Sequence, residues 1–239
     1  MKRVAILQSN YIPWRGYFDL IDRVDLFVLY DIVQYTKNDW RNRNIILTKS
    51  GPLWLTIPVR YNFGMTIEEA RIDAGSWATR HWRTIAQSYA KAPYISLVEQ
   101  RLGPLYAWAA EEDRLSVVNE HFLRTICDLL DITTPIVRPA ALASIDDPTE
   151  RLVRLLADLE ATHYLSGPAA KAYLDEEKFE RAGIAVEWMD YAEYPSYRQN
   201  TASFTPNVSI IDLIAQTGPD ASSYIRRRDR KNCTSNEGV

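Results

Sequence analysis

Short apolar runs separated by polar loops begin the chain. Residues 4–7 and 26–30 are apolar runs of strand length, and residues 17–24 carry apolar side chains at helical spacing. This pattern predicts a strand–loop–helix–strand–loop unit. Because a crossover helix returns the chain to its starting edge, we expect the two strands to be parallel. Both polar loops then leave from the carboxyl edge of the sheet.

The next segments change from strand to helix periodicity. Apolar runs at 45–48 and 53–59 on either side of Gly51-Pro52 predict a hairpin. Ser76 is a candidate N-cap for a helix that Pro93 would end. Further helices are predicted at 95–102, 104–111 and 115–130, so that residues 76–131 form a helical insertion.

A second strand–helix–strand unit follows the helical insertion. The pattern predicts strands at 136–137, 163–165 and 184–189, and helices at 148–159, 169–183 and 209–217. We predict an α/β fold with a mainly parallel sheet and flanking helices, Rossmann-like, plus the helical insertion. Residues 1–225 are predicted to form a single domain and residues 226–239 a disordered polar tail. The pattern leaves open whether the two halves share one continuous sheet.

Composition places the chain among ordinary globular proteins. The 239 residues are 46% hydrophobic and 25% charged, with a net charge of -3. This charge argues against a broad nucleic-acid-coating surface, although a local basic patch stays open. The two cysteines, Cys127 and Cys233, do not suggest a disulfide framework. The chain shows neither a signal peptide nor a membrane span, and we expect a cytoplasmic protein.

The two loops of the opening unit supply the candidate binding residues. Ligands of open α/β sheets bind at the carboxyl edge, so we expect these loops to converge on one site. They carry cations for phosphate or carboxylate, aromatic rings for stacking and amides for sugar hydroxyls. The alternative is a set of ordinary turns that tie down the hairpin. The candidates are Gln8, Asn10, Trp14, Gln34, Tyr35, Lys37, Trp40, Arg41 and Arg43.

A third loop follows the predicted strand at 163–165. Ser166-Gly167 lies between that strand and a predicted helix, and Lys171 follows one turn later. Backbone amides at such a turn attract anions, and glycine permits close approach. A routine turn with glycine for its geometry is the alternative interpretation.

Candidate proton acceptors are few. Asp31 follows a strand, where an active-site carboxylate would be well placed, and His81 lies on a predicted helix. Asp39 is a further candidate, whereas His121 and His163 are better explained as structural residues. Each candidate also has a purely structural interpretation as a cap or core residue.

The sequence has no phosphate-binding glycine loop, no nucleophile elbow and no zinc-ligand spacing. We therefore predict no metal, no cofactor and no covalent Ser or Cys nucleophile.

Three segments carry a family resemblance. LQSNYIPWRGYFDLI, DIVQYTKNDWRNRN and WLTIPV resemble the WbqC-like family, which occurs in bacterial O-antigen and other polysaccharide gene clusters. The resemblance implies a transferase that adds an amino-acyl group, with glycyl as one candidate, to a sugar. Its partners would be a nucleotide-activated amino sugar and an activated aminoacyl donor such as aminoacyl-tRNA.

Two alternatives to acyl transfer remain. Nucleotidyl-transferring α/β proteins carry a His-rich turn where this chain has Pro13-Trp14 and no histidine, yet a nucleotidyltransferase of nucleotide-sugar metabolism stays open as an analogy of fold. The other alternative is a non-catalytic scaffold of glycan assembly, which would expose a large apolar patch. The sequence does not identify the acyl donor, the sugar or the oligomeric state.

Overall fold

The computed structural model describes residues 1–139, 145, 147–192, 194–201 and 203–225. Its helices and strands alternate through most of the chain. In chain order they are β1 (Arg3–Leu7), α1 (Arg15–Asp22), β2 (Leu26–Leu29), β3 (Arg43–Thr48), β4 (Gly51–Thr56), β5 (Val59–Arg60), β6 (Arg71–Ile72), α2 (Trp77–Ser88), α3 (Ile95–Ala109), α4 (Leu115–Leu129), β7 (Ile136–Val137), α5 (Pro148–Asp158), β8 (His163–Ser166), α6 (Glu176–Arg181), β9 (Ala185–Trp188) and α7 (Ile210–Thr217).

A five-stranded parallel sheet in the order β7-β2-β1-β8-β9 forms the centre of the molecule. Numbered along the chain within this sheet, the order is 3-2-1-4-5, which is the Rossmann arrangement. The predicted α/β fold with a parallel sheet is confirmed. The two halves of the chain share one sheet, because β1 pairs with β2 on one side and with β8 on the other.

Residues 4–7 of β1 are all apolar because both faces of the sheet are covered. Val4 and Ile6 point into a core formed with α5 and α6, whereas Ala5 and Leu7 face the larger core formed with the other helices. A strand with one solvated face would instead alternate apolar and polar residues.

The predicted insertion at 76–131 contains three helices, α2, α3 and α4. The prediction of separate helices at 95–102 and 104–111 was wrong, because α3 runs through Pro104 without a break. Proline removes one helical hydrogen bond, but Leu102 and Leu105 on either side of it are buried in the core. Tertiary packing therefore overrides the local break signal.

Two further boundaries differ from the predictions. The helix expected over 169–183 is a 3₁₀ turn, Pro168–Ala172, followed by the short helix α6, and each piece buries one side chain, Ala170 or Phe179. Gly51-Pro52 was expected in the hairpin turn, but Gly51 pairs with Thr48 and begins β4. Ser76 precedes α2 without a side-chain capping bond.

No helix in the described ranges is both long and apolar enough to cross a bilayer. The predicted tail, 226–239, and Cys233 lie outside the described residues.

Candidate functional site

The carboxyl ends of β1 and β8 lie side by side where the order of the sheet reverses, and we call the region between the loops that follow them the crevice. The loop after β1 begins at Gln8, whose carbonyl oxygen accepts a hydrogen bond from the Tyr17 hydroxyl of α1 (2.8 Å). The turn after β8 begins at Gly167, and a Cβ placed on that glycine would lie 3.6 Å from the Tyr191 hydroxyl. Such a switch point is where ligands of open α/β sheets bind.

Arg41 joins the loops that follow β1 and β2. Its Nη2 donates to Gln8 Oε1 (3.0 Å) and its Nη1 to Asn10 Oδ1 (3.2 Å). Asp39 Oδ2 lies 3.5 Å from the guanidinium, and its side chain is 28% exposed. The two loops therefore meet, as parallel strands predict. The guanidinium has five N–H groups and gives two of them to these amide oxygens, which leaves donors for an anion.

A buried polar layer supports this arrangement from below. Asp31 Oδ1 accepts a hydrogen bond from the Ser9 backbone N–H (2.8 Å). Asn119 of α4 donates to Ser9 Oγ (3.1 Å) and to the Arg41 carbonyl oxygen (2.8 Å). Asp31 Oδ2 and Asn119 Oδ1 are buried without a hydrogen-bond partner in the described part of the chain. Each bond fixes the backbone of a loop that carries a crevice side chain.

The placement of Asp31 does not suit the predicted role of proton acceptor. Its side chain is 1% exposed and covered by Ser9, so it cannot reach a substrate in this conformation. Burial raises the pKa of the Asp31 carboxyl, against smaller opposing effects of the Ser9 hydrogen bonds and of Arg138 and Arg41. We assign Asp31 a positioning role. Asp39, the alternative that the sequence offered, is the partly exposed carboxylate beside Arg41.

His81 is also in the wrong place for proton transfer. It is 7% exposed, and its Nδ1 lies 2.9 Å from the Tyr11 hydroxyl, which in turn hydrogen-bonds Tyr106 (2.6 Å). Burial lowers the pKa of His81 to about 4, against a smaller opposing effect of a hydrogen bond to the Thr56 backbone. The imidazole is a neutral member of an aromatic core.

An aromatic wall borders the crevice. The Trp14 ring packs edge-on against Tyr191 and Tyr194, with ring centroids 5.1 Å and 5.9 Å away. Gly16 allows this position, because a Cβ there would come within 2.4 Å of the indole. Arg15 holds the neighbouring chain by donating to the Pro195 carbonyl oxygen (2.6 Å).

The turn that places Asn10 and Trp14 is strained and held from outside. Ile12 has a φ of 38°, a left-handed conformation that β-branched residues rarely adopt. Asn44 of β3 donates to the carbonyl oxygens of Tyr11 and Ile12 at 3.0 Å each. The turn therefore depends on a side chain more than thirty residues away in sequence.

The expected cationic cluster of Lys37, Arg41 and Arg43 does not form as one group. Arg41 faces the crevice, whereas Arg43 lies over the Trp54 ring with its Cζ 4.3 Å from the centroid. Lys37 is exposed on the loop surface. Arg41 lies in the turn before β3, whereas Arg43 is the first residue of that strand, so the alternation that places strand residues two apart on one face does not extend to Arg41.

Gln34 and Tyr35 are likewise not crevice residues. Tyr35 is 2% exposed, packs against Tyr61 and donates its backbone N–H to Met65, so its ring cannot stack on a ligand. Gln34 forms an isolated bridge with Thr66. The second loop folds back on residues 61–67 at this point and only its later part reaches the crevice. Trp40 is exposed and contacts Trp54 on the hairpin.

The predicted anion turn lies beside the crevice, with a different set of contacts. Ser166 is buried and its Oγ donates to the Tyr164 hydroxyl (3.3 Å). Gly167 precedes the 3₁₀ turn and is the backbone position open to the crevice. Lys171 Nζ lies over the Trp188 ring, 5.3 Å from its centroid. Of the three predicted residues, Gly167 is the best placed.

Sequence reasoning missed Asn119, Tyr17 and Tyr191. Asn119 interrupts the apolar stripe of α4 between Val118 and Phe122, and a polar residue at a buried helical position was a usable signal. Tyr17 and Tyr191 had no local signal, because only the tertiary structure brings them to the ends of β1 and β8.

Within the described ranges, no group of three or more His, Cys, Asp or Glu side chains could hold a metal ion.

Comparison with known proteins places the chain in a family. Residues 8–224 match the WbqC-like protein family over nearly the whole chain. The chain belongs to this family. It is also 44% identical, over 228 residues, to the uncharacterized protein Rv1507c of Mycobacterium tuberculosis, covering 95% of this chain and 98% of the relative. No solved structure matches. The family match includes every residue of the crevice from Gln8 to Tyr191.

Proposed function

We propose that this chain is a transferase of bacterial surface-polysaccharide biosynthesis. It binds a nucleotide-linked amino sugar in the crevice and joins an amino-acyl group, with glycyl as one candidate, to the amine of the sugar. The main support is Arg41, which Gln8 and Asn10 hold at the switch point of a Rossmann-ordered sheet. Membership of the WbqC-like family agrees with this role.

Arg41 is suited to the diphosphate of a nucleotide-sugar. A guanidinium presents its N–H groups in a planar fork that matches two phosphate oxygens. Its carboxylate neighbour, Asp39, is 3.5 Å away and partly exposed, so the positive charge of Arg41 is only partly neutralised. Gly167 follows β8 and has no side chain, so a phosphate held by Arg41 can also approach the backbone amides there.

The aromatic wall and the amides suit the sugar. Trp14 and Tyr191 present apolar ring surface and a phenolic hydroxyl beside Gly167. Gln8 and Asn10 each keep a side-chain amide nitrogen for sugar hydroxyls, because Arg41 occupies only their oxygens. The crevice thus offers a cation for the diphosphate, and aromatic rings and amides for the sugar.

Acyl transfer needs a positioned amine and an activated ester. The amine nitrogen bonds to the ester carbonyl carbon, the carbon–oxygen bond of the ester breaks, and an amide and an alcohol result. The amine loses one proton and the departing oxygen gains one. We assign the transfer of this proton to Asp39, the partly exposed carboxylate beside Arg41, and positioning supplies the remaining rate enhancement.

A thermal-shift experiment tests this proposal. We expect a UDP-linked amino sugar to raise the unfolding temperature, since a ligand at about 100 times its Kd stabilises the folded state by about 2.7 kcal/mol. Arg41→Gln should remove most of the shift. Arg60→Gln is the matched control, because Arg60 is 63% exposed and pairs with Asp73.

Three outcomes would contradict the proposal. A shift seen only with a nucleoside triphosphate and magnesium would favour the nucleotidyltransferase alternative. No shift with any nucleotide-sugar would favour the scaffold alternative. An equal shift in the Arg41 variant would mean that the nucleotide-sugar does not bind at Arg41.

A further inference from the structure

A second surface with ligand-binding chemistry lies on the outer face of the β3–β4 hairpin. Trp40 and Trp54 are 42% and 44% exposed, and their rings lie 5.5 Å apart at an interplanar angle of 35°. Arg43 lies over Trp54, with its Cζ 4.3 Å from the ring centroid. We call these three residues the hairpin platform.

The strand register explains why the platform faces outward. Arg43 pairs with Thr56 and Ile45 with Trp54, so Arg43 and Trp54 are diagonal neighbours on one face. The opposite face carries side chains that are buried in the core, namely Asn44, Ile46 and Leu55. The exposed indoles of Trp40 and Trp54 therefore have no evident role in packing the core.

In the described part of the chain, the guanidinium of Arg43 contacts an aromatic ring and not a carboxylate. No carboxylate forms an ion pair with it among the residues that the structure describes, and its buried Nε has no hydrogen-bond acceptor there. Lys37, on the loop that leads to Trp40, is exposed as well. Two exposed rings beside an uncompensated cation suit a ligand that combines flat rings with negative charge.

We propose that the hairpin platform binds unpaired nucleotides at the end of an RNA. A base stacks on the exposed indoles and a phosphate contacts the Arg43 guanidinium. A neutral glycan would use the rings but not the unpaired cation. The net charge of -3 limits such binding to a local patch, which fits a short single strand.

The platform has a position suited to an acyl donor. Trp40 precedes Arg41, and its carbonyl oxygen accepts the Tyr11 N–H (2.9 Å) in the turn that borders the crevice. An amino acid esterified to an RNA end bound on the platform would lie beside the crevice. This assignment as donor site rests on the proposed acyl transfer, whereas the binding of RNA by the platform does not.

Fluorescence anisotropy of a labelled single-stranded RNA hexamer ending in CCA tests the platform directly. We expect Trp54→Ala to weaken binding between about 5-fold and 150-fold, as is usual for loss of one base–aromatic stack. Arg43→Gln should weaken binding and lower the slope of log K against log salt concentration by about 0.7. The matched control is Tyr173→Ala, which removes an aromatic side chain that is 71% exposed and lies outside the hairpin, at the end of the 3₁₀ turn after β8.

The outcomes separate the two proposals. RNA binding that is lost in the Trp54 variant and kept in the Tyr173 variant supports the platform, even if no nucleotide-sugar binds the crevice. RNA binding that is equal in all variants, or absent from the unaltered protein, overturns it. Direct binding of a neutral oligosaccharide by a protein that does not bind the RNA would also overturn it and make the surface a glycan platform. Unfolding temperatures of the variants, measured in the same buffer, show that each one is folded.

Discussion

At the scale of single residues, side chains distant in sequence fix the loops of the crevice. Asn44 donates to two carbonyl groups of the strained turn at Ile12, and Asn119 donates to Ser9 and to the backbone of Arg41. All of these bonds are buried or partly buried, where an unpaired polar group is costly. The geometry of the crevice therefore depends on two side-chain amides that are themselves buried.

Asn44→Ala should lower the free energy of unfolding by about 2 to 4 kcal/mol, because it leaves two buried carbonyl groups without a donor. Urea unfolding followed by circular dichroism measures the change. Asn200→Ala, at an exposed position, is the control and should change stability by less than about 0.5 kcal/mol. An equally small effect at Asn44 would mean that the turn holds without it.

At the scale of elements, packing overrides local signals in both directions. The α3 helix continues through Pro104 because its neighbours Leu102 and Leu105 are buried. Conversely, residues 169–183 have a helical pattern but divide into a 3₁₀ turn and α6, each with its own buried side chain. Helix ends in this protein follow the core more closely than they follow propensity.

Pro104→Ala should raise the free energy of unfolding by about 2 kcal/mol. Proline inside a helix costs about 3 kcal/mol relative to alanine, and its restriction of the unfolded chain offsets part of that cost. Pro104 is exposed, so the substitution leaves the core intact. Thermal unfolding should shift upward by a few degrees. Pro93→Ala, outside the helix, is the control; a decrease in stability at Pro104 would show that the ring contributes packing of its own.

At the scale of the whole molecule, two cores on opposite faces of the sheet set its stability. The larger one contains His81 as a neutral side chain among aromatic rings. Because burial lowers the pKa of His81 to about 4 from a usual value of 6.5, the unfolded chain binds more protons between these values. Stability due to His81 is complete above pH 6.5 and is lost as the pH falls toward 4.

Comparison of the unaltered protein with His81→Gln should isolate this effect. The difference in unfolding free energy between the two proteins should be constant above pH 6.5. It should change by about 3 kcal/mol in favour of the variant between pH 6.5 and 4. The buried carboxyls Asp19, Asp31 and Asp212 have raised pKa values from burial and act in the opposite sense, but both proteins share them. A difference that does not vary with pH would mean that the pKa of His81 is the same in the folded and the unfolded protein.

The sequence by itself determined the elements that form the sheet and the edge at which the loops meet. Apolar runs such as Val4–Ile6 must be buried on both faces, and crossover helices make their strands parallel, so these features follow from local pattern and chain connectivity. The meeting of Arg41 with Gln8 and Asn10 is a consequence of the same rules.

Only the tertiary structure decided which polar side chains face the crevice. Asp31 and His81 have the chemistry of proton acceptors, yet the packing of Ser9 and of Tyr11 buries them. Arg43 and Trp54 come together through strand register, which depends on pairing across the hairpin. The sequence pattern determines which side chains of a single helix or strand are buried. Contacts between elements, set by the shape and volume of the shared core, decide which of the remaining residues a ligand can reach.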